Sequence, residues 1–333
     1  MTAMQPSDNF AVILNANAGR VTPQLIYQLE SYIPKGRLFL TQSQLHARDV
    51  VHACAHSGVD SIFAGGGDGT IVDTINSLYE LRNELPQLPK VGALRLGTGN
   101  ALSHWLNNPD PKEALRRWKS KTPHLLRTLR MVEAEETLFP FAGLGVDAAI
   151  LNDYNKVKRK GKNSWYESAS KGVCGYLLAA YTRTIPAYLK RSRTEVRIIN
   201  IGAPAYRIGP NGEEIGPAIQ NGDTLYEGMC SMVGCANTPY YGYAFKMFPF
   251  ASSLQQRFQL RIIDMNALQM SYNVFPAWTG GLRHPKLHDF YADRVRVIFK
   301  DDMPYQLGGE AAGYRKELTF SIAEQPIDMI AQA

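Results

Sequence analysis

Gly65-Gly66-Gly67-Asp68-Gly69-Thr70 joins three adjacent glycines to one carboxylate and one hydroxyl. Glycines lack a Cβ, so backbone N–H groups there can approach a ligand closely. A helix beginning at this point would turn its positive end toward phosphate. Thr70-x-x-Asp73 has capping-box spacing for such a helix. Two further clusters have the same texture, Asn15-Ala16-Asn17-Ala18-Gly19 and Gly97-Thr98-Gly99-Asn100. Together they suit the holding of a polyphosphate. Asp68 is then a candidate base or metal contact. The plain alternative is an Asx turn inside a Gly-rich loop.

Two common nucleotide loops are excluded. No GxxxxGK[ST] occurs, and GxGxxG fails because Thr70 stands where its last glycine would. The histidine–arginine–aspartate and aspartate–phenylalanine–glycine signatures of protein kinases are absent as well.

The elements that would position these residues read as an alternation. Phe10 to Leu14, Arg37 to Leu40, Ser61 to Ala64 and Val91 to Leu96 are short apolar runs with strand character. Helical faces lie between them, at Leu45, Val50, Val51 and Cys54, then at Ile71, Ile75, Leu78 and Tyr79. Strands alternating with helices predict a parallel sheet, with ligands outside the carboxyl ends of its strands. All three Gly/Asn clusters would then share one rim.

Past residue 130 the texture becomes strand-rich: Glu195 to Ile201, Gly228 to Val233, Phe258 to Ile263 and Arg294 to Phe299. Pro210-Asn211-Gly212 and Asn221-Gly222-Asp223 mark turns between strands. A mostly antiparallel β domain is expected, with one helical insertion near residues 165–189.

The 333 residues allow two domains. Hydrophobic residues at 45% and charged residues at 20% exclude disordered, collagenous and coiled-coil classes. The 4 Cys show no CxxC spacing, so neither a disulfide scaffold nor a zinc or redox motif is expected. The opening residues carry no basic segment followed by an apolar one, so no export signal is expected. The apolar stretch Gly172 to Leu189 is broken by Arg183 and Pro186 and reads as amphipathic rather than spanning. The net charge of +6 favours phosphate ligands, nucleic acid or an anionic membrane. No nucleic-acid-binding signature appears.

Gly66-Gly67-Asp68-Gly69-Thr70, then Asp73 and Asn76, then Gly97-Thr98-Gly99-Asn100 resemble the diacylglycerol kinase catalytic domain, the family of bacterial diacylglycerol kinases, sphingosine kinases and ceramide kinases. Asn15 to Gly19 is similar to that family's N-P-x-S-G element, with Ala16 in place of Pro. Phe141 to Ala148 is similar to its G-x-G-x-D-A segment, and Asn237 to Gly242 to its N-x-x-x-x-G segment. The resemblance covers residues 9–320.

It implies a fold of class α/β plus β. Residues 1–130 would form a parallel-sheet ATP-binding domain, 131–310 an antiparallel β-sandwich for the lipid acceptor, and 311–333 a tail returning to the first domain. The active site would lie in the cleft between the domains. The implied activity is transfer of the γ-phosphoryl group of ATP, with Mg²⁺, to a hydroxyl of diacylglycerol, ceramide or a sphingoid base. The nucleotide-binding residues would be Asn15, Asn17, Gly19, Thr41, Gly65, Gly66, Gly67, Gly69, Thr70, Gly97, Thr98, Gly99 and Asn100. Asp68 would be the acid–base residue, helped by Glu310. The motifs are shared in part with NAD kinases, which leaves a soluble acceptor open.

Two departures from the family stand out. Where it carries Asp-Gly-Glu, this chain has Gly308-Gly309-Glu310. Asp68 with Glu310 is then expected to suffice; the alternatives are help from Asp301 or Asp302 in a preceding turn, or a catalytically weakened nucleotide- or lipid-binding protein. Gln255-Gln256 stands where many members have Asp-Gly, so no structural metal site is expected.

A peripheral association with an anionic membrane, from the cytoplasm, is expected through two basic runs. These are Lys156, Lys158, Arg159, Lys160 and Lys162, and then Lys190, Arg191 and Arg193, with Trp165, Tyr166 and Tyr176 at headgroup level. An ordinary solvated charge run is the alternative.

Overall fold

The computed structural model describes residues 2–161, 182–183, 193–254 and 256–332. The expected helical insertion, the Gly172–Leu189 stretch, Trp165, Tyr166, Tyr176, Lys162, Lys190, Arg191, Cys174 and Gln255 lie outside the described residues, as do the side chains of Lys158, Arg159 and Lys160. The chain forms two units, one of residues 1–131 with 323–333 and one of residues 132–322.

The first unit runs β1 (Thr2–Met4), β2 (Phe10–Asn15), α1 (Pro23–Glu30), β3 (Leu38–Thr41), α2 (Gln44–His56), β4 (Ser61–Gly66), α3 (Asp68–Glu80), β5 (Lys90–Arg95), α4 (Ala101–Trp105), α5 (Pro111–Lys119) and β6 (His124–Leu129). The last strand of the chain, β19 (Ile327–Ala331), also belongs here. The seven-stranded sheet has the order β1-β6-β19-β5-β4-β2-β3. Strands β2 to β5 pair in parallel, and β19 joins β5 in parallel through Met329 and Val91. Phe10 to Leu14 are buried throughout, as a central strand covered on both faces requires.

Local signals start the helices. Thr22 caps α1, accepting from Leu25 N–H, and Pro23 follows at the first helical position. Asp110 caps α5, with Pro111 next. Trp118 of α5 packs edge-on against Phe10 and Phe63, and its indole N–H donates to Ser7 O at 2.9 Å. This ties α5 to the sheet that carries the site.

The second unit continues as β7 (Val132–Ala134), β8 (Thr137–Phe139), β9 (Phe141–Gly145), α6 (Val146–Gly161), β10 (Thr194–Asn200), β11 (Ala205–Ile208), β12 (Glu214–Ile219), β13 (Thr224–Cys230), β14 (Met232–Ala236), β15 (Phe258–Ile263), α7 (Ala267–Tyr272), α8 (Val274–Thr279), β16 (Leu287–Ala292), β17 (Arg294–Leu307) and β18 (Glu310–Ile322). Its strand pairs are antiparallel. In β10, Val196 and Ile198 face the core while Glu195 and Arg197 face solvent, the two-residue period of a strand with one buried side. Val233, Cys235, Phe258, Leu260, Phe290, Val297 and Phe320 complete that core. Between β15 and β16 the buried Arg261 makes a two-pronged ion pair with Asp289, both contacts 2.8 Å.

The structure departs from the sequence expectation in four places. The apolar run Gly228 to Val233 is two strands, β13 and β14, divided at Ser231. Arg294 to Phe299 is only the start of β17. Asp301 and Asp302 lie inside β17, at the irregularity between Ile298 and Met303, not in a turn, and Asp301 accepts from Thr194 Oγ1 at 3.0 Å. The return to the first sheet begins at Ala323 rather than 311, because Glu310–Ile322 pairs with β17 and β7.

Candidate active site

In the first unit, the Gly-rich run is barely a loop. Gly65 and Gly66 continue β4, pairing with Leu94 and Arg95, and Asp68 already opens α3. Only Gly67 lies between, at φ −83 and ψ −179. Because the helix starts at Asp68, Thr70 is inside it and the capping box with Asp73 does not form; α3 has no side-chain cap. Thr70 Oγ1 instead accepts from Asn15 Nδ2 at 3.1 Å. Asp73 accepts from Gln44 Nε2 at 3.3 Å.

The glycines are required by closeness. A Cβ on Gly66 would stand 2.3 Å from Thr70 Oγ1, and one on Gly97 would stand 2.3 Å from the Gly67 Cα. The ends of β4 and β5 therefore touch backbone to backbone. Leu96 N–H donates to Gly66 O at 3.2 Å across the same approach.

The end of β2 is organised from within. Asn15 Oδ1 accepts from Asn17 N–H at 2.9 Å, and Asn17 Nδ2 donates to Gln42 O at 2.9 Å. Thr41 is buried and its hydroxyl donates to Leu14 O at 3.4 Å, so it supports the rim rather than facing a ligand. Asn100 is likewise turned inward: its side chain accepts from Gly97 N–H at 3.1 Å and donates to Gly97 O at 2.8 Å. It adopts φ +49, a left-handed conformation that Asn tolerates. Thus Asn15, Asn17, Gly65, Gly66, Gly67, Gly69, Thr70, Gly97, Thr98 and Gly99 gather at the strand ends, with Thr41 and Asn100 bracing them and Gly19 just past the Asn15–Asn17 turn.

Asp68 reaches across this rim. Its Oδ1 accepts from Leu102 N–H, 3.1 Å away at the start of α4. It serves α4 as the cap that Asn100 does not supply. Burial pushes the Asp68 carboxyl above its ordinary value, opposed by the Ala101, Leu102 and Asn100 amides. By helix geometry the N–H groups of Asp68, Gly69 and Thr70 have no partner within α3. They are donors outside the ladder of α3, beside a carboxylate already occupied by α4.

The second unit repeats the pattern. Strand β9 passes directly into α6, with Asp147 in the first turn. Asp147 Oδ2 accepts from Tyr241 OH and Gln306 Nε2, both at 3.1 Å. Gln306 Oε1 in turn accepts from Gly309 N–H at 2.8 Å. Gly308 N–H donates to Phe141 O at 2.9 Å. The Gly308-Gly309 turn, with φ of +54 and +90, is therefore anchored from Asp147 through Gln306. Glu310, the exposed first residue of β18, follows that turn. Gln306 and Tyr241 are not legible as partners in sequence, being 159 and 94 residues from Asp147. Only the Gly143-x-Gly145-x-Asp147 spacing pointed there. Among the described residues no three His, Cys, Asp or Glu side chains gather as metal ligands.

Residues 9–131 match the profile of the diacylglycerol kinase catalytic domain. This segment is similar to a diacylglycerol kinase catalytic domain, over less than half of the chain. A stretch of 98 residues is 36% identical to the "Probable lipid kinase YegS-like" of Stenotrophomonas maltophilia (strain K279a). That match takes in 29% of this chain and 31% of the relative's length. The crystal structure of a diacylglycerol kinase from Bacillus anthracis str. Sterne shares the fold at a TM-score of 0.61 and 17% identity, covering 98% of this chain and 97% of that one. The rim described above lies within the matched segment, from Asn15 at the end of β2 to Asn100 before α4.

Of the expected membrane contacts, Lys156 pairs with Asp153 at 3.1 Å, and Arg193 is held by the Asp264 side chain and backbone. No helix of the described residues is long and apolar enough to cross a membrane.

Proposed function

We propose that the protein transfers the γ-phosphoryl group of ATP to the hydroxyl of a lipid, with diacylglycerol, ceramide and sphingoid bases as the acceptor class. The carrying observation is the kinase-domain rim. Glycine Cα atoms pack against each other there, and the first amides of α3 are unpaired within the helix. Gly66 and Gly97 let Thr70 and Gly67 pack closely at these strand ends, and the α3 amides beside them suit phosphate oxygens.

Phosphoryl transfer needs positioning and charge neutralisation more than covalent chemistry. The α3 amides would hold phosphate oxygens. Mg²⁺, arriving with the nucleotide, neutralises phosphate charge. Asp68 would take the proton of the attacking hydroxyl at its carboxylate. Its raised pKa favours that role, and the α4 amides fix its orientation. Asn15 would act by orienting Thr70.

One observation favours a weaker catalyst. Gly308 puts no side chain on the turn before Glu310. Incubating the protein with labelled ATP, Mg²⁺ and a panel of diacylglycerol, ceramide, sphingosine and NAD tests both readings. Label in a lipid supports the proposal. Label in NAD alone overturns the lipid acceptor, and ATP binding without any labelled product supports the weakened reading.

A further inference from the structure

We infer that α7 and α8, on the second unit, form a face that docks on an anionic phospholipid bilayer. From Met265 to Leu282 the chain carries no Asp, Glu, Lys, Arg or His. A water-facing helix normally has a charged side; these two have none and carry only uncharged polar groups. Here one side is covered by the protein. Ala277 and Leu282 are buried in a core with Phe248 and Met265, and Met270 packs against it. The other side is bare: Leu268, Tyr272 and Phe275 are 51%, 79% and 78% exposed. Leu268 and Tyr272, four residues apart, share one side of α7, and Phe275 follows at the start of α8, just past Asn273.

The polar groups of these helices are already engaged. Asn266 and Gln269 form a reciprocal capping box, Asn273 Nδ2 donates to Gln269 O at 2.8 Å, and Thr279 Oγ1 donates to Pro276 O at 3.2 Å. Little desolvation therefore opposes transfer of this side out of water.

The rim of the patch is aromatic and basic. Trp278 stacks on Phe245 with ring centroids 5.0 Å apart. Arg283 lies over the Phe250 ring at 5.4 Å, and the stem of Lys246 lies against Gly280. Lys246, Arg283 and Lys286 make no ion pair among the described residues. Between Gly228 and His288 the only acidic residue is Asp264, which pairs with Arg193; Asp289, just beyond, pairs with Arg261. The surroundings are thus net positive, which selects an anionic surface. Exposed rings inside a basic rim are the pattern of a helix lying in a headgroup layer.

The docking rests on the lipid-acceptor reading for its purpose only and is measured without turnover. The full chain is sedimented with vesicles of phosphatidylcholine alone and of phosphatidylcholine mixed with phosphatidylserine. Binding is expected to the mixed vesicles. Tyr272→Ser with Phe275→Ser should weaken it about tenfold or more at both low and high salt. Lys246→Gln with Arg283→Gln should weaken it mainly at low salt. Asp68→Asn should bind as the parent does, so a failed kinase reading leaves this one standing. Absence of binding by the parent, or equal binding by the ring variant with its fold intact by circular dichroism, would overturn the inference. So would a dimer, seen by sedimentation velocity, that the ring variant dissolves while vesicle binding stays unchanged, since that places a second copy on the face.

Discussion

In the first unit β4 runs through Gly67 into α3 with Asp68 in the first turn; in the second, β9 runs into α6 with Asp147 in the first turn. Both carboxyls are pushed above their ordinary value by burial. What answers each of them differs. Asp68 is met by backbone amides at the start of a neighbouring helix, on a rim of glycines. Asp147 is met first by the Gln306 side chain, with the Tyr241 hydroxyl, and is enclosed. Similar local sequence thus yields a carboxylate held by helix amides in one case and by distant side chains in the other. The deciding factor is what the long-range fold brings to the carboxylate.

The largest expected effects come from filling the two glycine approaches. Gly97→Ala sets a Cβ 2.3 Å from backbone that cannot yield, and Gly143→Ala sets one 1.7 Å from Asp147 Oδ2. Each should cost about 3 kcal/mol of stability in urea unfolding. Only Gly97→Ala should also abolish ATP binding by calorimetry. Equal loss of ATP binding in both would dissolve the distinction between the two regions.

A pH series sharpens the Asp147 side. A carboxyl whose folded pKa is raised favours the fold most below its unfolded value of about 4 and loses that contribution as pH rises through the folded value. Asp147→Asn should remove part of this decline above about pH 4. Identical slopes for the two proteins in urea melts at successive pH values would show that Asp147 does not titrate as described. Glu113 works in the opposite sense: hydrogen bonds from Arg116 and Arg117 lower it to about 2, so its contribution is lost only as pH falls toward that value.

Smaller still is Thr70→Val, which deletes the 3.1 Å bond from Asn15. About 1 kcal/mol of stability should go, with a few-fold rise in the Kd for ATP. An unchanged Kd would remove Asn15 and Thr70 from the site. Gly308→Asp is the mildest change: no atom lies closer than 4.0 Å to its new Cβ, and Asp tolerates the φ of +54 at about 1 kcal/mol. Turnover should rise if the missing carboxylate limits the reaction. No change in initial rate would show that the missing carboxylate does not limit the reaction.

The parallel half was legible because its period switches cleanly between strand and helix, so β2, β4, α2 and α3 fall close to where the residues placed them. Phe258–Ile263 was legible for the same reason, a compact apolar run. Glycine misled twice. Gly65 and Gly66 look like a loop but continue a strand, since an absent side chain says nothing about pairing. Gly228 to Val233 looks like one strand, since nothing in its composition marks the break at Ser231. The reach of Asp68 to α4, and of Gln306 to Asp147, depends on which strand ends become neighbours, which local sequence does not encode.

In the proposed reaction Asp68 takes a proton from a lipid hydroxyl while the glycine rim holds ATP. The most direct test compares the parent with Asp68→Asn in transfer of labelled phosphate from ATP to the best lipid acceptor, with ATP binding and Tm measured on the same samples. The Asn side chain can still accept from Leu102 N–H, so Tm and ATP binding should hold while turnover falls about a thousandfold. Full turnover by Asp68→Asn would show that Asp68 is not the base.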